Sequence, residues 1–279
     1  MGWFEERGGL QGTVAVITGG AGGIGEAVTY DLAANGVRTA VLDIDDKATD
    51  RLRETLGERG HDALVRHGDA RDPETLSALF DAVDEWWGRV DTLVNVVGGT
   101  FRAPFTDTRP KGWDALIRIN LTHVLHACSL AVPRMQAAGR GGSIINVTTV
   151  EAHRAAPGFS VYSAAKAAVT QFARTLAVEV APDGIRVNNV APDYTPTPNM
   201  TRISPESELQ PERNRVAIPM ARAGLVTDIS GCVVFLASGL SGYVTGTTLH
   251  VDGGTKAAAG WLNWPDAGWQ IQPPDTALR

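Results

Sequence analysis

The stretch Val14–Val28, VAVITGGAGGIGEAV, decides the reading. A short apolar run leads straight into a cluster of glycines, and a helical pattern follows at once. Val and Ile without polar alternation suit a strand covered on both faces. Glycines belong where the backbone turns tightly and approaches something that side chains would exclude. Free amides and the positive end of the helix dipole favour an anion there. Gly19, Gly22, Gly23, Ile24 and Gly25 are therefore the candidate phosphate-loop residues. An ordinary glycine-rich turn has the same composition, and it is the position directly after the first strand that favours a pyrophosphate.

Outward from this turn, strand and helix patterns alternate along the chain. RTAVLD, ALVRHG, DTLVNVV, GSIINVTT, GIRVNNVA and TTLHVD read as strands, separated by helical patterns over residues 48–58, 74–87, 113–138, from Tyr162, and 228–237. This order specifies one α/β domain over residues 1–279, a doubly wound parallel sheet with helices on both faces and right-handed crossovers. Two segments break the rhythm. Residues 192–219 form a long polar stretch of the kind that serves as a lid or binding loop. Residues 255–279 carry Trp261, Trp264 and Trp269, whose bulk needs a surface to cover.

Composition narrows the partner. The formal charge of −6 over 279 residues runs in no blocks, which excludes the basic stripe of a nucleic-acid binder and a polybasic membrane patch. A small-molecule partner remains. Cys128 and Cys232 lie far apart in apolar patterns, as buried thiols do, and imply neither a disulfide framework nor a metal site. The N-terminus lacks a signal-peptide core and no run approaches the roughly 18 apolar residues of a membrane helix, so a soluble, cytoplasmic protein is expected.

Asp43 ends the second strand, where an adenosine ribose would lie; its carboxylate can accept both ribose hydroxyls and would repel a 2′-phosphate. NAD is expected rather than NADP, although a residue here could equally cap the next helix. Tyr162 and Lys166 lie one helical turn apart in VYSAAKAAVTQFARTLAVEVA, so an ammonium can sit near a phenol. A close, partly desolvated cation would lower the phenol from ~10 toward neutrality and equip it for acid–base work.

Together, TGGAGGIG, NVVG (Asn95–Gly98), YSAAK and YVTGTTLHVDGG resemble the short-chain dehydrogenase/reductase family, over about residues 10–254. The resemblance implies a Rossmann fold of about seven strands and hydride exchange between nicotinamide and a carbonyl or alcohol carbon. Carried over by position, Tyr162 is the general acid/base. Lys166 lowers its pKa and holds the nicotinamide ribose. Asn120 anchors a water linking the lysine to solvent, and Thr149 stands where the family has serine. A threonine keeps the hydroxyl while its methyl restricts χ1. Gly19, Gly22, Gly23, Ile24, Gly25, Asp43, Ile44, Asp69, Ala70, Asn95, Gly98, Pro192, Thr195 and Thr197, with Tyr162 and Lys166, are the implied cofactor contacts. Asp69 also reads as the cap of the following helix.

The chain departs from the family pattern at Val96, which replaces a second asparagine, and at Asp193, which replaces a glycine. His123 and His126 lie one turn apart but lack a third ligand, so packing is expected and no metal. Glu151 and His153 lie in the loop before Tyr162, either solvated or in contact with substrate. An NAD-dependent alcohol dehydrogenase or ketoreductase is the leading expectation. The alternatives are an NADPH-dependent 3-ketoacyl reductase of lipid synthesis and a non-catalytic dinucleotide-binding protein. The resemblance further implies a homotetramer. The tryptophan-rich tail is expected on a neighbouring subunit or over a pocket, or else on its own subunit's surface.

Overall fold

The computed structural model describes residues 2–203 and 207–278; Pro205 and Glu206 of the lid segment and the terminal Arg279 lie outside the described residues. Seven strands form one parallel sheet: β1 (Val14–Thr18), β2 (Arg38–Asp43), β3 (Ala63–His67), β4 (Thr92–Asn95), β5 (Gly142–Val147), β6 (Ile185–Pro192) and β7 (Thr248–Val251). Their order is β3-β2-β1-β4-β5-β6-β7, so the direction of winding reverses between β1 and β4. In open α/β sheets that reversal leaves a crevice at the carboxyl ends of the strands. This is the expected doubly wound fold.

After a short α1 (Trp3–Gly8), the helices divide between the two faces. On one face α2 (Gly23–Ala34), α3 (Asp46–Glu58) and α10 (Val226–Ala237) bury Val28, Leu32, Leu52, Leu56, Ile229 and Val233 against Ile17, Val41 and Ile145. On the other, α4 (Pro73–Trp87), α6 (His123–Ala138) and α7 (Ser160–Glu179) bury Leu79, Phe80, Val124, Met135 and Val169 against Val16, Leu93, Ile144 and Val187. The β1 side chains are wholly buried, which is why the strand carries no polar alternation.

The region expected as one helix over residues 113–138 is interrupted. α5 (Pro110–Ile117) passes into one turn of π-helix, Arg118–Thr122, before α6 begins. Such turns recur at functional sites. The combined run Pro110–Ala138 is long and apolar enough, by length and composition only, to cross a membrane. Its α6 part instead packs against α4, β4 and β5.

The lid segment holds two short helices, α8 (Pro198–Ile203) and α9 (Gln210–Ala217). Beyond β7 and a short α11 (Thr255–Ala258), the tail forms an antiparallel pair, β8 (Leu262–Trp264) and β9 (Gly268–Gln270), and β8 packs on α9 of the same chain. Cys128 and Cys232 are free thiols, and burial pushes Cys128 up to about 12, as for an inert core residue.

Candidate active site

The glycine turn is built to exclude side chains. A Cβ on Gly25 would lie 1.8 Å from the Gly19 carbonyl oxygen, and Gly19 and Gly23 hold positive φ angles of 72° and 53°. Gly22 caps α2 with no side chain in the way. Opposite Gly19 lies the turn after β4: a Cβ on Gly19 would meet Val97 Cγ2 at 3.0 Å. These cradles leave backbone room for a pyrophosphate, with Ile24 and Gly25 opening the helix.

Asp43 does not cap the helix that follows it. Asp45, and not Asp43, caps α3 by accepting the Ala48 amide at 2.9 Å. The Asp43 carboxylate instead accepts the amides of Ala21 (3.0 Å) and Asp45 (3.1 Å), which aim it along the edge of the turn beside exposed Ile44. Similarly, Asp72 caps α4 through the Glu74 and Thr75 amides. Asp69 forks onto the Arg71 guanidinium, whose bonds hold the carboxyl below its usual range. Ala70 beside it is buried.

Asn95 is 1% exposed; its side-chain amide donates to Asn146 Oδ1 at 2.9 Å inside the sheet, while its own Oδ1 has no partner among the described residues. Asn146 donates in turn to Asn189 (3.1 Å), and Asn189 to Thr248 (3.3 Å). These residues pair in register across β4, β5, β6 and β7. The buried amide ladder was missed in the sequence, where its signal is an Asn near the carboxyl end of successive strands.

Above this ladder the catalytic candidates converge. Gly98 is the hub: a Cβ there would lie 3.1 Å from both Asn120 Oδ1 and Lys166 Nζ. Asn120 sits in the π-turn, fully buried; it accepts the Gly99 amide (3.2 Å) and donates to the Gly99 and Leu116 carbonyls (2.8 and 3.0 Å). Those bonds lock the turn after β4 against α5. Lys166, also buried, donates to the Val147 carbonyl at 2.9 Å, and burial brings its ammonium down to about 8.

Thr149 occupies the end of the β5 turn. Its hydroxyl accepts the Glu151 amide at 3.2 Å and lies on the Tyr162 side of the loop, where it acts to lower the phenol's pKa. In the protein without cofactor, burial pushes the Tyr162 phenol up to about 12, with the neighbouring Thr149 hydroxyl acting to lower it and the Glu151 charge to raise it further.

Three further positions complete the site. Pro192 ends β6 and is buried. Thr195 is buried, its hydroxyl donating to the Asp193 carbonyl at 3.2 Å. Thr197 starts α8 by accepting the Met200 amide and presses its methyl over the phosphate turn, 3.1 Å from where a Gly23 Cβ would be. Asp193, at the family's glycine position, accepts hydrogen bonds on its carboxylate from Arg154 and Thr255. His153 stacks edge-on against His250 of β7, with ring centroids 4.5 Å apart. His123 is buried and, as expected, packs, burial bringing it down to about 3. Among the described residues no cluster of three or more His, Cys, Asp or Glu suits a metal.

A glycine cradle at the switch point of a doubly wound sheet, with a tyrosine, a lysine and a hydroxyl gathered beside it, defines a dinucleotide-dependent oxidoreductase class. A family model described as enoyl-(acyl carrier protein) reductase matches residues 19–256. The chain is 38% identical over 247 residues to the 3-oxoacyl-[acyl-carrier-protein] reductase FabG of Thermotoga maritima, covering 88% of this chain and 98% of that one. It is 32% identical over 250 residues to the NADP-dependent (R)-specific alcohol dehydrogenase of Lentilactobacillus kefiri, covering 89% and 98%. A crystal structure of a putative short-chain alcohol dehydrogenase from Sinorhizobium meliloti superposes with a TM-score of 0.83 at 32% identity, covering 88% and 97%. The chain belongs to the short-chain dehydrogenase/reductase family, whose members use a nicotinamide dinucleotide to act on CH–OH groups.

Proposed function

We propose that the protein transfers a hydride between NAD(H) and a secondary alcohol or ketone. The observation that carries this is the convergence of Tyr162, Thr149, Lys166 and Asn120 beside a glycine cradle whose edge is held by Asp43. Gly19, Gly22, Gly23, Ile24 and Gly25 would hold the pyrophosphate, Asp43 the ribose hydroxyls, and Lys166, Pro192, Thr195 and Thr197 the nicotinamide end. The dinucleotide supplies the hydride acceptor or donor.

The chain's own groups manage the proton. In alcohol oxidation Thr149 would orient the substrate oxygen by hydrogen bonding, and Tyr162, as the phenolate left once its own proton has passed to solvent, would take the hydroxyl proton. Lys166, brought to about 8, exchanges protons near neutral pH. Asn120 keeps the π-turn open at the lysine. In ketone reduction each transfer runs backward. Tyr162→Phe should lower turnover by about 10²–10⁴-fold with NAD affinity retained, read by absorbance of reduced cofactor on a panel of secondary alcohols.

A second reading, an NADPH-dependent 3-oxoacyl reductase, draws support from the Thermotoga relative's name. Asp43 opposes it, since a carboxylate repels a 2′-phosphate by up to about 4 kcal/mol before screening. Dissociation constants for NADH and NADPH separate the two. A homotetramer is proposed as the working assembly; the exposed Val178 and Tyr243 give apolar surface to cover, and light scattering tests it.

A further inference from the structure

Two histidines meet beside the site in a contact that the acid–base chemistry above does not use. His153 follows the short 3₁₀ turn Val150–Ala152, and His250 stands on β7. Their rings pack edge to face, with centroids 4.5 Å apart and planes at 68°. The Nε2 atom of each is buried and, among the described residues, finds no hydrogen-bond partner. A neutral imidazole tolerates that, since one of its nitrogens is a bare acceptor, whereas an imidazolium carries N–H on both. A charged donor with nothing to receive it is strongly disfavoured when buried. The contact therefore suits two neutral rings.

Each ring is tied to a part of the site. The 3₁₀ turn is pinned to Thr149: the Glu151 amide donates to Thr149 Oγ1 at 3.2 Å and the Ala152 amide to the Thr149 carbonyl at 3.1 Å. The His153 amide closes the turn on the Val150 carbonyl at 2.9 Å. On the other side His250 pairs in register with Ala191 of β6, the residue before Pro192. The two rings thus join the Thr149 turn to the β6–β7 edge, beyond the last β5–β6 pairing at Val147 and Val190.

We propose that His153 is a positioning residue: its contact with His250 clamps the turn that carries Thr149, and the clamp holds only while both rings are neutral, so that acidification loosens the site. The inference rests on Thr149 as the group that orients the substrate oxygen. The surroundings of the pair act in the same direction. Burial is the first cause that keeps both imidazoles below their ordinary range. Lys256 of α11 opposes a positive charge on either ring, and Arg174 of α7 and His250 oppose one on His153. Asp252, just past β7, favours a charge on His250, by less than burial or Lys256 opposes it. Glu151 and Arg154 of the turn pair with each other, and Asp193 at the end of β6 is held by Arg154 and Thr255. His250 also lines a cavity of about 350 Å³, whose Arg222 and Asp228 pair with each other; the cavity gives a displaced ring room. Because both folded values lie below the ordinary 6.5, the clamp is complete above that pH and is lost as pH falls.

The test reads the turn itself, by amide hydrogen exchange in the full chain without substrate, with the β1 amides as the reference for global unfolding. Protection of the Glu151, Ala152 and His153 amides, corrected for the intrinsic rate, should fall about tenfold between about pH 7.5 and about pH 5 in the wild type. His153→Phe and His250→Phe keep a ring that cannot charge, and their protection should stay within about twofold over the same range. His153→Ala should be poorly protected at both pH values, and adding His250→Ala to it should change protection by less than about twofold. A wild type whose protection does not fall, or Phe variants that fall as the wild type does, overturns the proposal. The pH profile of kcat/KM on a substrate from the alcohol panel is the second readout. Its acid limb should move to lower pH in both Phe variants, and an unmoved limb would detach the clamp from Thr149 and refute the positioning role. Absence of turnover in every protein, wild type included, would count against the proposed function and leave the exchange measurement to decide whether the clamp exists.

Discussion

The Asp43 carboxylate accepts the Ala21 amide at 3.0 Å, tying the end of the second strand to the glycine turn 22 residues earlier. The bond aims one oxygen and leaves the carboxylate its charge. Asp43→Ala should remove both the ribose acceptor and the repulsion of a 2′-phosphate. Titration calorimetry should show NAD binding weakened about tenfold and the NAD-over-NADP preference reduced by about ten- to a hundredfold. Unchanged preference would remove Asp43 from the cofactor site.

Gly25 tolerates no side chain. Its Cβ would enter the Gly19 carbonyl at 1.8 Å, and that neighbour is backbone, which cannot swing aside. Gly25→Ala should destabilise the fold by at least ~2 kcal/mol, or roughly 4–8 °C in Tm for a chain of this size. Gly22→Ala, with nothing within 4 Å of its Cβ position, is the control expected to melt near wild type.

Lys166 is held at a cost to the fold. Its folded value of about 8 lies below the ordinary 10.5, chiefly through burial, so the unfolded chain binds the extra proton between those values. The penalty is therefore full below pH 8 and fades as pH rises toward 10.5. Lys166→Met should stabilise the protein by about 1–3 kcal/mol at pH 7, with less gain at pH 10, while turnover collapses. Denaturant melts at both pH values measure the first effect.

His123 governs acid sensitivity in the same way. Buried at 1% exposure and brought down to about 3, mainly by burial and secondarily by the Lys166 charge, it stays neutral in the folded state while the unfolded imidazole protonates near 6.5. Stability from this group is complete above pH 6.5 and is lost on acidification toward 3, by up to about 1.4 kcal/mol per pH unit. His123→Met should flatten the slope of unfolding free energy between pH 6.5 and 4, and an unaltered slope would place the acid-labile group elsewhere.

Much of this architecture is legible in the chain because it is local. The glycine turn, the β-strand runs and the Tyr162–Lys166 spacing each depend on residues close in sequence, and periodicity and turn chemistry read such features directly. What escapes is long-range. Whether Asp43 or Asp45 caps α3 depends on side-chain rotamers, and the Arg154–Asp193 pair spans 39 residues. The π-turn around Asn120 has no composition signature; it forms because the Asn120 amide binds Gly99, across the turn after β4. Spacing places Lys166 near Tyr162 but cannot show how deeply the phenol is buried or that the ammonium donates to the Val147 carbonyl. The tail was read as a covering surface, and its β8–β9 hairpin on α9 requires Asp266 to adopt a φ of 60°, a turn its type tolerates but does not announce.

The amide ladder from Asn95 to Thr248 has a consequence for how the molecule is made. Asn95 gives its side-chain N–H to Asn146, Asn146 to Asn189 and Asn189 to Thr248, so no two neighbouring strands can satisfy the row by themselves. Docking β5 on β4 alone strands an amide that only β6 can receive. The half of the sheet that carries the catalytic turns therefore gains the whole of this side-chain row only when all four strands have docked, which ties the floor beneath Tyr162 and Lys166 to β7 as much as to β4.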